Sequence, residues 1–278
     1  MNKQERIAQA IQQIITTMMD RVMDNVLSKD PFIPEEHHAK KPLYAALVPD
    51  EIFKGSHFER RFVTPFGGVW ERLTQAVAQE QHGHCDVSHT INGTIGTESL
   101  RRIQEVLNRL EHAKKGAART PPNWQQELAY IKAGGGELIP VSVLCDIFIH
   151  NSATNVKYAF ELKGPLPNSD QTKVSKEKLF KLLAMNPPQI NHAYYALPYN
   201  PYGEKSAYAW AFPIRWFNMQ QDESVLIGQE YWDLIGGTGT YQNFINEVNK
   251  IGQEYKVRIY EDFLKISPPL QKTDGKLK

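Results

Sequence analysis

The stretch from Val141 to Lys163 constrains the fold of this chain more than any other. It begins with the apolar run VSVLCDIFIH, continues through the polar segment NSATNV and ends with KYAFELK. Both runs are rich in β-branched and aromatic residues, and the segment between them favours a turn, so the pattern predicts a β-hairpin. Side chains alternate between the two faces of a strand, so Glu161 and Lys163 are expected on the same face.

The position of Asp146 on this hairpin depends on the register of the two strands. If His150 pairs with Asn155 across the turn, Asp146 lies opposite Ala159 and shares a face with Glu161. A slip of one residue would move Asp146 to the opposite face. We predict the register that brings both carboxylates and the lysine together.

Two carboxylates and an ammonium group that converge on one point have a chemical use. Mg²⁺ prefers oxygen ligands, and proteins usually hold it with one or two carboxylates together with phosphate oxygens of the substrate. A neighbouring lysine can orient the attacking water and offset negative charge in the transition state. The alternative interpretation is a hydrated face of the hairpin, since a short motif needs structural context before it indicates chemistry.

The residues after Lys163 favour the catalytic interpretation. ELK is followed by GPLPNSDQ and a lysine-rich segment, and further along by YYALPYNPYG and VLIGQEYWDLIGG. In these motifs the chain resembles the PD-(D/E)xK nucleases and, within them, the TdeIII-like type II restriction endonucleases. The resemblance extends roughly from Ser56 to Asp262. It departs from the superfamily pattern at Cys145, which stands where a proline often precedes the aspartate.

The resemblance implies a fold and a set of roles. The fold is a mixed α/β (α+β) restriction-endonuclease-like core, in which a central mixed β-sheet is flanked by helices, with an N-terminal helical region. Asp146, Glu161 and the carbonyl of Leu162 would hold Mg²⁺, and Lys163 would orient the attacking water. Glu71, on the helix before the hairpin, is the candidate for a further catalytic contact, although a solvated helix carboxylate fits it equally well.

The resemblance also implies a substrate, because TdeIII-like enzymes act on short palindromic sites of the GGNCC type in double-stranded DNA. A palindrome implies a two-fold symmetric homodimer, and a restriction enzyme implies a cognate DNA methyltransferase as its genetic partner. Reading such a site requires donors for guanine and acceptors for cytosine. The candidate DNA-binding residues are Asn168, Asp170, Gln171, Lys173, Lys176, Lys178 and Arg215.

A helix is predicted just after these motifs, from Thr172 or Ser175 to about Met185. Its inward side would carry Val174, Leu179, Leu182 and Leu183. Its polar side would carry Lys173, Lys176, Lys178 and Lys181. A position next to the motif favours phosphate contacts for these lysines over a merely solvated face.

Composition limits the function without assigning one. The 278 residues carry a net charge of +1, so any attraction to DNA must come from local basic clusters. The two cysteines, Cys85 and Cys145, do not suggest a disulfide framework, and a reduced cytoplasmic protein is the simplest account. No stretch approaches the about 18 apolar residues of a membrane span, so no membrane association is expected.

Four regions are predicted along the chain. Residues 1–30 form an amphipathic helix whose apolar stripe packs on the chain's own core or on a second subunit. Residues 31–55, rich in proline and charge, are a linker or surface loop. Residues 56–265 form the nuclease domain, and residues 266–278 form a flexible basic tail.

Further elements of the nuclease domain follow from periodicity. Helices are expected over 69–79, after an unusual backbone or a close approach at Gly67 and Gly68, and over 97–116. The segment HGHCDVSH has poor spacing for zinc ligands and is expected to be a polar loop. AYYALP and AYAWAF are expected to form two strands.

Two other functions stay open at this stage. A structure-selective repair or recombination nuclease of the same fold would cut junctions or flaps without sequence preference. A DNA-binding module without catalysis would leave plasmid DNA intact, and the joint presence of Asp146, Glu161 and Lys163 argues against it.

Overall fold

The computed structural model describes residues 1–112 and 119–269. Residues 270–278 of the predicted basic tail, and the last part of the helix predicted over 97–116, lie outside the described residues. The chain divides into two compact units, Met1–Leu73 with Gln242–Lys278, here the terminal unit, and Thr74–Tyr241, here the sheet unit. The division into an N-terminal helix, a linker and a nuclease domain stays a prediction.

The terminal unit is helical. Its first helix is α1 (Lys3–Asp24), which begins with a capping box between Asn2 and Glu5. A π-helical turn over Asn25–Lys29 extends this helix. Ile7 and Ile11 on the apolar stripe of α1 are both 0% exposed. The predicted amphipathic helix is therefore confirmed, and burial within a single chain favours the core interpretation of its stripe.

The C-terminal helix of this unit is α10 (Thr240–Arg258), followed by a π-helical turn over Ile259–Leu264. Two residues near its end bind Asp20 on α1. The Tyr255 hydroxyl donates to the Asp20 carboxylate at 2.6 Å, and the Arg258 guanidinium pairs with it at 3.0 Å. These contacts connect the two ends of the chain within the terminal unit.

Residues 31–55 are helical for most of their length, so the expectation of a surface loop there is wrong, while their role as a linker stays a prediction. They contain α2 (Pro34–Lys40), α3 (Pro42–Leu47) and the start of α4 (Asp50–His82). Proline lacks the N–H group that the first turn of a helix leaves unpaired in any case, so Pro34 and Pro42 are well suited to begin α2 and α3. The helix α4 also passes through Gly67 and Gly68, where no unusual backbone occurs.

The sheet unit is built on a sheet whose five strands, among the described residues, follow the order β1-β2-β3-β4-β5. The strands β1 (Gly83–Gly96), β2 (Leu138–Asn151) and β3 (Val156–Leu162) are antiparallel neighbours. The strands β4 (His192–Leu197) and β5 (Val225–Ile227) extend the sheet in parallel. The predicted mixed sheet is confirmed, and the predicted hairpin is formed by β2 and β3.

Two segments differ from their predicted structure. HGHCDVSH lies almost entirely in β1, so the expectation of a polar loop there is wrong. AYAWAF forms no strand, since it runs from the last residue of a 3₁₀ turn (Lys205–Ala207) into the first turn of α8 (Ala211–Ile214). The side chains of Tyr208 and Trp210 donate to the carbonyls of Pro165 and Pro167, which ties this segment to a loop instead of a sheet edge.

Helices α5 (Thr97–Glu111), α6 (Trp124–Lys132) and α7 (Ser169–Ala184) pack on one another, and α7 also lies on β2 and β4. The helix α9 (Gln229–Gly236) packs on β5. The core of the sheet unit is apolar and aromatic, with Ile103, Leu107, Cys145, Phe180, Tyr195 and Trp216 among its members. Because α7 follows β3 directly, its side chains reach the predicted motif.

None of the helices in residues 1–112 and 119–269 combines the length and the apolar character that a bilayer span requires.

Candidate active site

The three residues of the predicted motif meet where β2 and β3 run side by side. The Lys163 Nζ atom lies 2.5 Å from Asp146 Oδ2 and 3.3 Å from Glu161 Oε2. The backbone N–H of Leu162 also donates to Asp146 Oδ2, at 2.8 Å. The structure therefore brings together the two carboxylates and the lysine, and the backbone of β3 fixes the orientation of Asp146.

The register that produces this arrangement differs from the predicted one. His150 pairs with Lys157 instead of Asn155, and Phe148 instead of Asp146 pairs with Ala159. The predicted register was wrong by two residues, and a slip of two leaves every side chain on its original face. The His150 side chain still hydrogen-bonds the Asn155 side chain at 2.8 Å, within the turn.

An unusual backbone conformation in β1 lies across from Asp146. The pairs Val87–Ile147 and His89–Cys145 would set Ser88 against Asp146, but the pairing skips Ser88, whose φ is +54°. A left-handed conformation is uncommon for a residue with a side chain, and such residues cluster at functional sites. The sheet is thus locally irregular beside the motif.

The charges in the cluster affect one another strongly. Glu161 is 1% exposed, and burial followed by the Asp146 carboxylate raises the pKa of Glu161. For Lys163, burial opposes the charged form, but Glu161 and Asp146 together outweigh it and raise the pKa of the amine. Lys163 is therefore a cation at neutral pH that holds the two carboxylates together.

The helix α7 supplies two contacts to Glu161 that the sequence analysis did not anticipate. The Lys178 Nζ atom donates to Glu161 Oε1 at 2.8 Å, and the Ser175 hydroxyl donates to Glu161 Oε2 at 3.2 Å. Ser175 and Lys178 are three residues apart and so lie on one face of the helix. That spacing, on a helix that begins next to the motif, was the available signal in the sequence.

The first predicted DNA-binding residues lie at the start of α7. Asn168 is the N-cap, and its side chain accepts a hydrogen bond from the Gln171 backbone at 2.8 Å. Asp170 and Gln171 are exposed. The helix starts earlier than predicted because Asn168 satisfies its first N–H groups, and the three residues stay candidates for DNA contact.

The predicted lysine-lined face of α7 is only partly correct. Lys176 was expected on the polar side, but it is 0% exposed and pairs with Glu127 at 2.6 Å, so that placement is wrong and it is unavailable to DNA. Val174, expected inward, is 52% exposed. Lys173 is half-buried and pairs with Glu111 on α5. Leu179 and Leu182 are buried as predicted, so the errors concern Val174 and Lys176, which pairs with a buried carboxylate.

The two remaining predicted residues lie elsewhere in the chain. Glu71 is on α4 within the terminal unit, and its catalytic role stays a prediction. Arg215 directly follows α8 in the sheet unit and lines a surface cleft.

The atoms that the cluster offers to a metal are oxygens. Asp146 and Glu161 supply carboxylates, and no group of three or more His, Cys, Asp and Glu side chains suited to a metal occurs in the described part of the chain. Mg²⁺ is commonly held by one or two carboxylates, with water and substrate phosphates completing its shell. The donor set therefore fits a hard divalent cation of this kind.

Comparison with known proteins agrees with this chemistry. The family model described as "Type II restriction endonuclease, HinfI" matches residues 7–252. Three type II restriction enzymes of Herpetosiphon aurantiacus are similar to the chain. HgiEI is 24% identical, over 91% of this chain and 93% of its own length. HgiCII is 25% identical, over 76% and 77%, and HgiBI is 24% identical, over 81% of each. The chain belongs to the HinfI family of type II restriction endonucleases.

Proposed function

We propose that this restriction endonuclease requires Mg²⁺ and cuts a short palindromic site of the GGNCC type, with Asp146, Glu161 and Lys163 as its catalytic residues. The observation that carries the proposal is the simultaneous contact of the Lys163 amine with both carboxylates. The site type and the narrower TdeIII-like relationship rest on the resemblance in ELK, GPLPNSDQ and the later motifs.

Each residue of the cluster has a task in this reaction. Asp146, Glu161 and the carbonyl of Leu162 would hold the metal, which when bound supplies Lewis-acid polarisation of the scissile phosphate and a more acidic water. Lys163 holds the attacking water in line with the leaving oxygen and offsets the charge that develops on the phosphate. The products are a 5′-phosphate and a 3′-hydroxyl.

The remaining parts of the proposal concern partners and location. A palindromic site calls for a homodimer that places one active site on each strand. Host DNA requires protection by a cognate methyltransferase. The cytoplasm is the proposed location, because the two cysteines do not suggest a disulfide framework and a reduced protein is the simplest account. Glu71 is retained as a candidate for a further catalytic contact.

Digestion of plasmid DNA tests the proposal directly. With Mg²⁺ the protein is expected to produce discrete fragments, and run-off sequencing of their ends is expected to give one short palindrome of the GGNCC type. A chelator added in excess is expected to abolish cutting. Intact plasmid across an enzyme excess would contradict the catalytic role of the cluster, and cutting of junctions without sequence preference would support a repair nuclease instead.

Lys178 is expected to support catalysis more than DNA binding. Replacing Lys178 by methionine removes a charged hydrogen bond to the buried Glu161 carboxylate, an interaction of about 1.5–3 kcal/mol. We therefore expect kcat to fall about 10- to 100-fold, with KM and affinity for the site changed far less. Single-turnover cleavage and gel-shift titration measure the two effects separately.

The conservative variant Lys178→Arg serves as the control, since it keeps a cation beside Glu161 and is expected to recover part of the rate. If Lys178→Met instead keeps kcat, weakens binding to all duplexes and lowers its salt dependence, then Lys178 contacts a phosphate.

A further inference from the structure

The sheet unit has a cleft of about 320 Å³ beside α8. Two arginines, Arg119 and Arg215, line it together with Thr120, two prolines, Ala211 and two larger apolar side chains. These apolar side chains are exposed, with Phe212 at 51% and Ile214 at 43%. The cleft thus combines planar cations with apolar surface that no part of the described chain covers.

Hydrogen bonds fasten the segment that carries this cleft to the residues that leave the active site. The Trp210 indole donates to the Pro167 carbonyl at 2.9 Å, and the Trp216 indole donates to the Ser169 hydroxyl at 3.0 Å. Residues 163–169 span at most about 20 Å when fully extended. The Ser169 backbone therefore lies within about 20 Å of the Lys163 backbone, and the Trp216 indole lies one hydrogen bond beyond the Ser169 side chain. A five-base-pair site is about 17 Å long at 3.4 Å per step.

The two guanidinium groups of the cleft are available to a ligand. Among the described residues, neither Arg119 nor Arg215 has a carboxylate or another acceptor within hydrogen-bonding distance. Other basic side chains of the unit are engaged, as Arg101 is with Glu98 at 2.8 Å. The acidic side chain whose charge interacts with Arg215 is Glu111, and Lys173 already binds it.

The chemistry of the walls favours base edges over the phosphate backbone as the ligand. A phosphate needs only a cation, which lysine supplies as well as arginine. The planar fork of arginine matches the O6 and N7 atoms of guanine, and apolar side chains beside it can contact a thymine methyl group. Phe212 and Ile214 would be poor neighbours for a phosphate, since its oxygens favour polar and charged partners.

We propose that Arg215 and Arg119 read guanine edges in the major groove of the recognition site, with Phe212 against a neighbouring base. The inference rests on the proposed function, because it takes a guanine-containing duplex site as the substrate. It names the residues that read this site. The sequence analysis had proposed Arg215 as a DNA-binding residue, but nothing in the sequence pointed to Arg119 or Phe212.

A cycle of protein and base substitutions tests the proposal. The duplexes carry the site found by run-off sequencing, with each guanine replaced in turn by 7-deazaguanine, which lacks N7. For the guanine that Arg215 reads, the parent enzyme is expected to lose about 10- to 100-fold in kcat/KM on the altered duplex. Arg215→Ala is expected to show a similar loss on the normal duplex and little further loss on the altered one. Arg119→Ala is expected to behave in this way at a different guanine.

Two variants control the cycle. Arg101→Ala removes an exposed arginine that pairs with Glu98 and is expected to keep the parent's response to every duplex. Arg215→Lys keeps the charge but not the fork, so it is expected to keep affinity for unrelated DNA and lose the response to 7-deazaguanine. It also carries the test if Arg215→Ala melts earlier than the parent.

The proposal would be overturned if, at every guanine, the loss in kcat/KM from the arginine substitution and the loss from 7-deazaguanine multiplied independently. It would also be overturned if the substitutions weakened binding to all duplexes equally and lowered the salt dependence of binding. If the parent cuts no DNA with Mg²⁺, the proposed function fails instead. The same cycle, measured by equilibrium binding to a duplex selected by affinity, then decides the role of the cleft separately.

Discussion

Replacing Lys163 by alanine is expected to lower the rate of DNA cleavage by about 10²- to 10⁴-fold, the range for losing a positioned proton-transfer group or a preorganised electrostatic contact. The Lys163 amine contacts Asp146 and Glu161, so its loss removes both the water-orienting group and the charge that balances two adjacent carboxylates. Binding to the recognition site is expected to stay within a few-fold of the parent. Single-turnover cleavage with Mg²⁺ and gel-shift titration with Ca²⁺ measure the two quantities.

The matched control for this variant is Lys181→Ala. Lys181 is also a lysine of the sheet unit, but it pairs with Glu177 along α7 at 2.7 Å and makes no contact with the catalytic cluster. Its replacement is expected to leave the single-turnover rate unchanged. Undiminished cutting by Lys163→Ala would remove Lys163 from the mechanism, and equal losses in the two variants would show that the loss of one positive charge is measured instead of catalysis.

The hairpin could be predicted from the sequence because its signal is local. Two apolar runs flank a turn segment, and the alternation of side chains along a strand fixes which residues share a face. The error in register did not matter for the site, because Asp146 and Glu161 stay on one face for any slip by an even number of residues. The face of the sheet on which a side chain lies, which is what the motif depends on, is therefore easier to predict than the exact pairing of the two strands.

The strand β1 was not predicted because the sequence pattern of an edge strand is weak. It occupies one edge of the sheet, where polar side chains are tolerated and help prevent association with other strands. His84, Asp86 and Ser88 alternate with Cys85 and Val87, but His89 ends this alternation after two apolar residues, which is too short to indicate a strand. The AYAWAF segment shows the opposite case, since aromatic residues favour a strand locally but Tyr208 and Trp210 bind loop carbonyls that are distant in sequence.

The face of α7 was misjudged for a related reason. Lysines in a helical pattern indicate an exposed side, and no residue near Lys176 in the sequence indicates that a buried carboxylate will pair with it. Its partner Glu127 lies on α6, far earlier in the chain, and only the packing of α6 on α7 brings the two together. Lys178 lies beside Glu161, on the same side of α7 as Ser175.

Replacing Lys176 by methionine is expected to lower the free energy of unfolding by up to about 3–5 kcal/mol, because the buried Glu127 carboxylate loses its closest cation and retains the longer contact with the half-exposed Arg109, at 3.6 Å, and the hydrogen bond from the Asn123 backbone. Lys176 is 0% exposed and Glu127 is 2% exposed. The amine also lies over the rings of Phe180 and Phe217, at 5.2 Å and 4.9 Å from their centroids, and donates to the Trp216 carbonyl. Urea-induced unfolding followed by circular dichroism measures the change.

The double variant Lys176→Met with Glu127→Leu separates the loss of the pair from the cost of an isolated charge. Replacing both members of a buried ion pair by apolar residues is often neutral or stabilising, so the double variant is expected to recover most of the lost stability. Lys181→Met, which breaks a more exposed pair on the same helix, is expected to cost about 1 kcal/mol or less. If Lys176→Met unfolds at the same urea concentration as the parent, Arg109 and the Asn123 N–H compensate the Glu127 charge in that variant, and the Lys176–Glu127 pair does not fix α6 against α7. A double variant no more stable than Lys176→Met would assign the loss to the contacts of the amine with the aromatic rings and the Trp216 carbonyl.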